Sequence, residues 1–197
     1  MKKLEYKKII GFFTLVIAMS AMSSEVNAQT ANMTADVTVQ NTLTLATPAQ
    51  LNFGSIAAIR DAAQTATVSI DTAGTSVVAS GGGTAATAIV DDTAISAAQV
   101  TIADGANGAT LNITINNVVD PVNGTESFVL DDFTTSWNNG ADATQVIGTA
   151  FTETFDSAFG GGTNTLDIGA TITTTLGAGT AYTDGAYAGT YDVVFSY

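Results

Sequence analysis

Two adjacent carboxylate pairs, Asp91-Asp92 and Asp131-Asp132, are the residues whose type and spacing could do chemistry. Paired acids can hold calcium or share the roles of general acid and base. A calcium loop needs several further oxygen ligands at regular spacing, and neither an EF-hand nor a glycine–aspartate repeat is present. Both pairs are therefore expected to be solvated acids in turns. Gly81-Gly82-Gly83 and Gly160-Gly161-Gly162 are poor phosphate cradles, because such a loop leads into a helix N-terminus and strands are expected after both. Trp137 with Phe133 could stack a ligand, but an anchor in the core or a loop is the stronger reading. The chain has no His and no Cys, which removes zinc sites, Ser-His and Cys-His nucleophiles and imidazole acid–base chemistry. No catalytic, metal-binding or cofactor-binding residue is expected. The chain does not read as an enzyme.

The first 28 residues have the form of a cleaved secretory leader. Lys2, Lys3, Lys7 and Lys8 make a basic start, residues 9–22 are apolar, and Val26-Asn27-Ala28 ends in the small residue a signal peptidase needs. Cleavage is expected between Ala28 and Gln29. The apolar run is short of the about 20 residues that a membrane anchor requires. Of eighteen acids and five bases, Glu5, Glu25 and the four lysines leave with the leader, so sixteen acids face Arg60 alone and the mature net charge is −15. Such a surface repels nucleic acid and anionic lipid, so neither nucleic-acid binding nor membrane insertion is expected. The leader implies export.

The elements that must position any site are strands. Residues 30–45 alternate apolar at odd positions (Ala31, Met33, Ala35, Val37, Val39, Leu43, Leu45) and polar at even ones, the period of a half-buried strand. The pattern breaks at Thr47-Pro48. Further strands are expected at residues 51–56 and 65–71, in a hairpin of 76–79 with 85–90 across Gly81-Gly82-Gly83, and around Val100-Ile102 and Leu111-Ile113-Ile115. A loop is expected around Pro121 and Asn123-Gly124, a single helical turn at 94–98, and later strands at 146–155, 166–176 and 187–197. Thr is abundant and helical periodicity is lacking, so the fold class is all-β. About ten short strands with regular turn signals indicate one antiparallel sandwich or barrel, spanning residues 42–197.

The two ends carry the strongest pattern. Tyr187, Tyr191, Val193, Phe195 and Tyr197 share one face of the last strand, with Gly189 in the same row. Such an end suits either an outer-membrane barrel or a sandwich whose edge awaits a strand from outside. Sparse aromatics and short strands disfavour the barrel, which needs aromatic girdles and strands of 9–11 residues. An uncovered apolar edge must be capped. The N-terminal stretch has the complementary alternation, with main-chain bonds to supply affinity and alternate side chains to fill pockets. Asn41 interrupts its apolar row, so residues 29–41 are expected as a donor strand and the residues after them as the domain's own first strand; the alternative is that the whole stretch is the first strand of the domain's own sheet.

Four stretches carry a family likeness: Leu51-Asn52-Phe53-Gly54-Ser55-Ile56, Val100-Thr101-Ile102-Ala103-Asp104-Gly105, Leu166-Asp167-Ile168-Gly169-Ala170-Thr171, and residues 185–197. The chain resembles the bacterial exported domain of unknown function 4402, which is similar to pilins of the spore-coat-protein-U, chaperone–usher type. The resemblance implies an immunoglobulin-like pilin sandwich lacking its last strand. It also implies a periplasmic chaperone that lends that strand, and an outer-membrane usher that exchanges it for the N-terminal extension of the next subunit. The expected function is a structural subunit of a surface fibre, a head-to-tail homopolymer serving adhesion or biofilm. The expected donor face is Ala31, Met33, Ala35, Val37 and Val39; the acceptor edge is Tyr187, Tyr191, Val193, Phe195 and Tyr197. The alternatives are a monomeric lectin-like adhesin and a small outer-membrane barrel. Spore-coat-U pilins commonly carry cysteines, and this chain has none.

Overall fold

The computed structural model describes residues 42–197. The expected leader, its expected Ala28/Gln29 cleavage site and the expected donor face (Ala31, Met33, Ala35, Val37, Val39) lie outside the described residues. Among the described residues there are twelve strands: β1 (Thr44–Ala49), β2 (Ser55–Ile59), β3 (Thr67–Ile70), β4 (Ser76–Ala79), β5 (Ala86–Asp91), β6 (Ala98–Ala103), β7 (Thr110–Asn123), β8 (Glu126–Trp137), β9 (Ala143–Thr144), β10 (Phe151–Thr154), β11 (Asn164–Thr174) and β12 (Ala188–Ser196). The one helical element among the described residues is a 3-10 turn at Phe159–Gly161.

All the strand pairs are antiparallel, and they form two layers. In the first, β1 pairs β6, β6 pairs β11, and β11 pairs β8 on its other side, while β3 and β4 extend the layer beyond the far half of β11. In the second, β7 lies between β12 and β10. Strands β7 and β8 are paired only beside their turn, Val122 with Ser127 and Asn123 with Glu126, after which β8 crosses to β11. β2 and β5 form a separate two-stranded sheet. Alternation fills the space between layers: Leu111, Ile113 and Ile115 of β7 meet Val100 and Ile102 of β6, Leu166 and Ile168 of β11, and Phe133 of β8. Phe133 packs 5.1 Å from the ring of Tyr191, one residue from each layer. The protein is an all-β antiparallel sandwich. Its outer strands β1 and β12 are not joined, so the barrel alternative is set aside.

Several local expectations are corrected. The hairpin across Gly81-Gly82-Gly83 does not form; β4 pairs β3, and β5 pairs β2. Asp71 decides this, since its Oδ1 accepts the N–H groups of Ala73 and Thr75 while Gly74 takes φ +78°, closing a tight β3–β4 turn. Asp61 instead grips the glycine loop, accepting the N–H and hydroxyl of Thr84 and the N–H of Ala63. These bonds bring its carboxyl down to about 2. The helical turn at 94–98 is a reverse turn, with Ile95 N–H on Asp92 O, shaped by Asp91 accepting from Thr93. β1 runs through Thr47-Pro48 because its register shifts there and its outer edge needs no proline N–H. β7 likewise runs past Pro121, at a bulge opposite Gly189, and turns only at Gly124. The strand expected at 146–155 shrinks to β10, and Val146 and Ile147 are exposed in the preceding turn. Asp131-Asp132 lie inside β8 rather than in a turn, at a bulge where Asp132 has φ +47°.

Candidate functional site

Strand β12 is built for two environments. Tyr187, just before it, and Tyr191, Val193 and Phe195 within it pack against the core, while Thr190, Asp192 and Val194 face out. One edge of β12 is bonded to β7; no described strand pairs the other. Strand β1 has the same asymmetry, bonded to β6 on one edge only. The two open edges flank a groove that runs along the side of the sandwich.

Two cavities lie along this side, a lower section between β1 and β12 and an upper section beside the residues that follow β1 and precede β12. The lower one, about 330 Å³, has Leu45 and Ala49 of β1 as one wall, Tyr191, Val193 and Phe195 as the other, and Ala98, Val100 and Ile168 as its floor. That floor is core: Ile168 is wholly buried and the other two nearly so. Leu45, by contrast, is 46% exposed. The upper section, about 880 Å³, lies between residues 51–59 and 181–189 over Phe128, Leu130, Ile172 and Tyr182. Tyr197 stands one residue past β12, 46% exposed, and lines neither section. The structure thus brings four of the five expected edge residues to the groove and leaves Tyr197 out.

The upper end is closed by polar bonds. Ile59 bridges Ala181, and Tyr182 N–H bonds Ala58 O, so the segment before β12 crosses over to β2. Glu126 fastens it, accepting Thr183 N–H at 2.6 Å, Arg60 Nη2 at 2.7 Å and the Tyr187 hydroxyl at 2.8 Å. The Thr183 N–H, then the Tyr187 hydroxyl, hold the Glu126 carboxyl below the usual glutamate value. Burial, helped by Glu126, pushes Tyr187 up to about 12, and burial alone does the same to Tyr191. Tyr182 stacks on Phe128 at 4.4 Å, with the Arg60 guanidinium carbon 5.1 Å from its ring centre. Lower on the edge, Asn117 Nδ2 donates to Asp192 at 2.7 Å and anchors its carboxylate on the outer face.

The other candidates serve the fold. Phe133 is wholly buried, and Trp137 packs on the core while its Nε1 donates to Thr154 O at 3.2 Å. Asp91 shapes its turn. Asp131, half-buried with Oδ1 unpartnered, has its carboxyl raised by burial and then by Asp132 and Asp120. Among the described residues no cluster of three His, Cys, Asp or Glu could hold a metal ion, and no helix is long and apolar enough to cross a membrane. Reasoning from sequence missed the Leu45 wall, the core floor and the Arg60–Glu126 clasp. A signal for the clasp was available: Arg60 is the only Lys or Arg after Lys8 in the sequence.

Fold and site together define a sandwich with an apolar groove open between two unpaired strand edges. The family model described as Domain of unknown function (DUF4402) matches residues 42–197. The chain belongs to that family. No curated protein and no solved structure matches it.

Proposed function

We propose that the protein is an exported, non-enzymatic subunit of a surface fibre, polymerised by donation of the N-terminal strand of one copy into the groove of the next. The assembly route would be that of the spore-coat-protein-U type, with a periplasmic chaperone covering the groove until an outer-membrane usher exchanges it. One observation carries the reading: core residues Ala98, Val100 and Ile168 form the floor of a groove whose two rims, β1 and β12, are unpaired strand edges. An apolar floor beside free backbone donors and acceptors is matched by a strand, which satisfies both. Leu43 packs on its own core and Leu45 is a groove wall, so the donor's larger side chains are Met33, Val37 and Val39. Burying these three is worth at most about 4–9 kcal/mol before the cost of ordering the strand. The link joins different surfaces of successive copies, so it propagates instead of closing on itself.

The test is heat dependence on gels. Surface material sheared from cells should run as a ladder that collapses to monomer on boiling, and the ladder should be lost when residues 29–40 are deleted. A single monomer band for the intact protein, heated or not, would refute strand-mediated polymerisation and leave a monomeric surface adhesin as the reading.

A further inference from the structure

Resting on the strand-donation reading, we propose that Asp192 decides whose extension fills the groove, admitting that of another copy and turning away the protein's own. The inward positions along the free edge are 187, 189, 191, 193 and 195, and the extension offers Ala31, Met33, Ala35, Val37 and Val39 at the same spacing. These rows can be matched in two directions. Laid antiparallel to β12, Val39 comes opposite Tyr187 and Ala31 opposite Phe195; the outward row then sets Asp36 against Thr190 and Thr34 against Asp192. Laid parallel, the same matching sets Asp36 directly against Asp192. Like charges opposite one another on neighbouring strands are destabilising. No cation offsets them, because Arg60 is the only one past the leader and is bound to Glu126 at the upper end. Asn117, on β7 along the bonded edge of β12, holds the Asp192 carboxylate on the outer face, so the repulsion would act from that face toward the free edge.

Topology ties each direction to a source. Strand β12 runs from the upper section to the lower, whereas β1 starts at the lower end, where Leu45 and Phe195 share a section, and rises toward Leu51. The extension immediately precedes β1. To enter its own groove it would have to reverse at the lower end and lie parallel to β12. The shortest reversal, through residues 40–43, has the four-residue length of a common hairpin loop and brings Val39 level with Phe195. That is the register in which Asp36 meets Asp192. The extension of another copy has no such tether. It takes the antiparallel direction and leaves the groove beside Tyr187, short of the bonds that close the upper end, so that successive copies stack lower end on upper end.

The absence of native cysteine makes the register readable by cross-linking in the full mature chain. Asn32→Cys with Val194→Cys are opposed only in the antiparallel match, and Thr38→Cys with Val194→Cys only in the parallel one. Both pairs keep Asp36 and Asp192, and Val194 is exposed. Mild oxidation should link the Asn32 pair between chains, giving a ladder that survives boiling and is lost on reduction. The Thr38 pair should link severalfold more slowly. Adding Asp36→Lys to the Thr38 pair should turn repulsion into attraction and raise linkage within single chains roughly tenfold. Rapid intrachain linkage of the Thr38 pair with Asp36 present would overturn the proposal, as would an Asp36→Lys variant that leaves the ratio unchanged. Heat-labile polymers without an Asn32 link would overturn this register while sparing strand donation; absence of polymers from all forms would overturn both.

Discussion

Val193→Asp separates a groove wall from an ordinary core position. Val193 is half-buried and lines the lower section opposite Leu45 and Ala49. In the open groove a carboxylate there keeps contact with water, so folding loses only part of a valine's burial, about 1 kcal/mol. For a sandwich of this size that lowers Tm by roughly 2–4 °C. With a strand seated above it, the same carboxylate is enclosed between the strand and the floor of Ala98, Val100 and Ile168. The loss of the valine contact, about 1.5–3 kcal/mol, is then joined by a desolvation cost of several kcal/mol. Strand association should weaken by more than about 3 kcal/mol, which is over a hundredfold. The assay pairs a thermal melt by circular dichroism with the unboiled gel ladder. Val90→Asp is the control, at a position 71% exposed that lines neither section, and should leave both readouts unchanged. A ladder of normal length from Val193→Asp would refute the assignment. A fall in Tm far beyond 4 °C would show that Val193 is closed core and the groove no receptor.

Three further outcomes are expected. Gly169→Ala should destabilise the fold by about 3 kcal/mol or more in urea melts, because its Cβ would lie 2.2 Å from Ile70 O and 2.8 Å from the Asp71 carbonyl carbon, both backbone atoms. Glu126→Gln should lower Tm at neutral pH and lose that effect in acid: the folded carboxyl titrates below its ordinary 4.5, so its stabilisation is complete above that value and disappears as pH falls through the lowered one. Tyrosine absorbance at 295 nm should show Tyr187 and Tyr191 ionising near pH 12, not 10, with Tyr191→Phe removing one such step. Their stabilisation is complete below about 10 and is lost as pH rises through about 12.

The alternation of Leu111, Ile113 and Ile115, and of Tyr191, Val193 and Phe195, was legible because a strand's two faces are set two residues at a time. Pairing was not. Both Asp71–Gly74 and Gly81–Gly83 can turn the chain, and nothing local shows that Asp61 bonds Thr84, 23 residues away, and draws the second loop from β4 toward the end of β2. Asp131-Asp132 looked like turn acids because a β-bulge places polar residues mid-strand without breaking the strand. The candidate site was half legible. One wall, β12, has its own apolar row, but Leu45 and the floor of Ala98, Val100 and Ile168 become groove residues only through strand order, a long-range property. Tyr197 continued the row in sequence and left it in space, because β12 ends at Ser196.

Strand order also explains why the groove lies on that side. Along the row Phe195–Ile113–Phe151 the second layer is three strands wide, whereas β1, β6, β11 and β8 make the first layer four. On the far side the sandwich is sealed, with Trp137 Nε1 on Thr154 O and Gly148 N–H on Ile115 O. The mismatch therefore falls between β12 and β1, and it amounts to one strand spacing, about 4.8 Å. A bulky side chain or a lipid tail could cover Val100 and Ile168, yet neither offers backbone groups to the bare edge of β12. A strand offers both, and its alternation must match that of Tyr187, Tyr191, Val193 and Phe195. On the strand-donation proposal the groove selects for main chain first and for side-chain pattern second, so a polar-faced extension with the alternation of residues 29–41 would suit it better than a wholly apolar one.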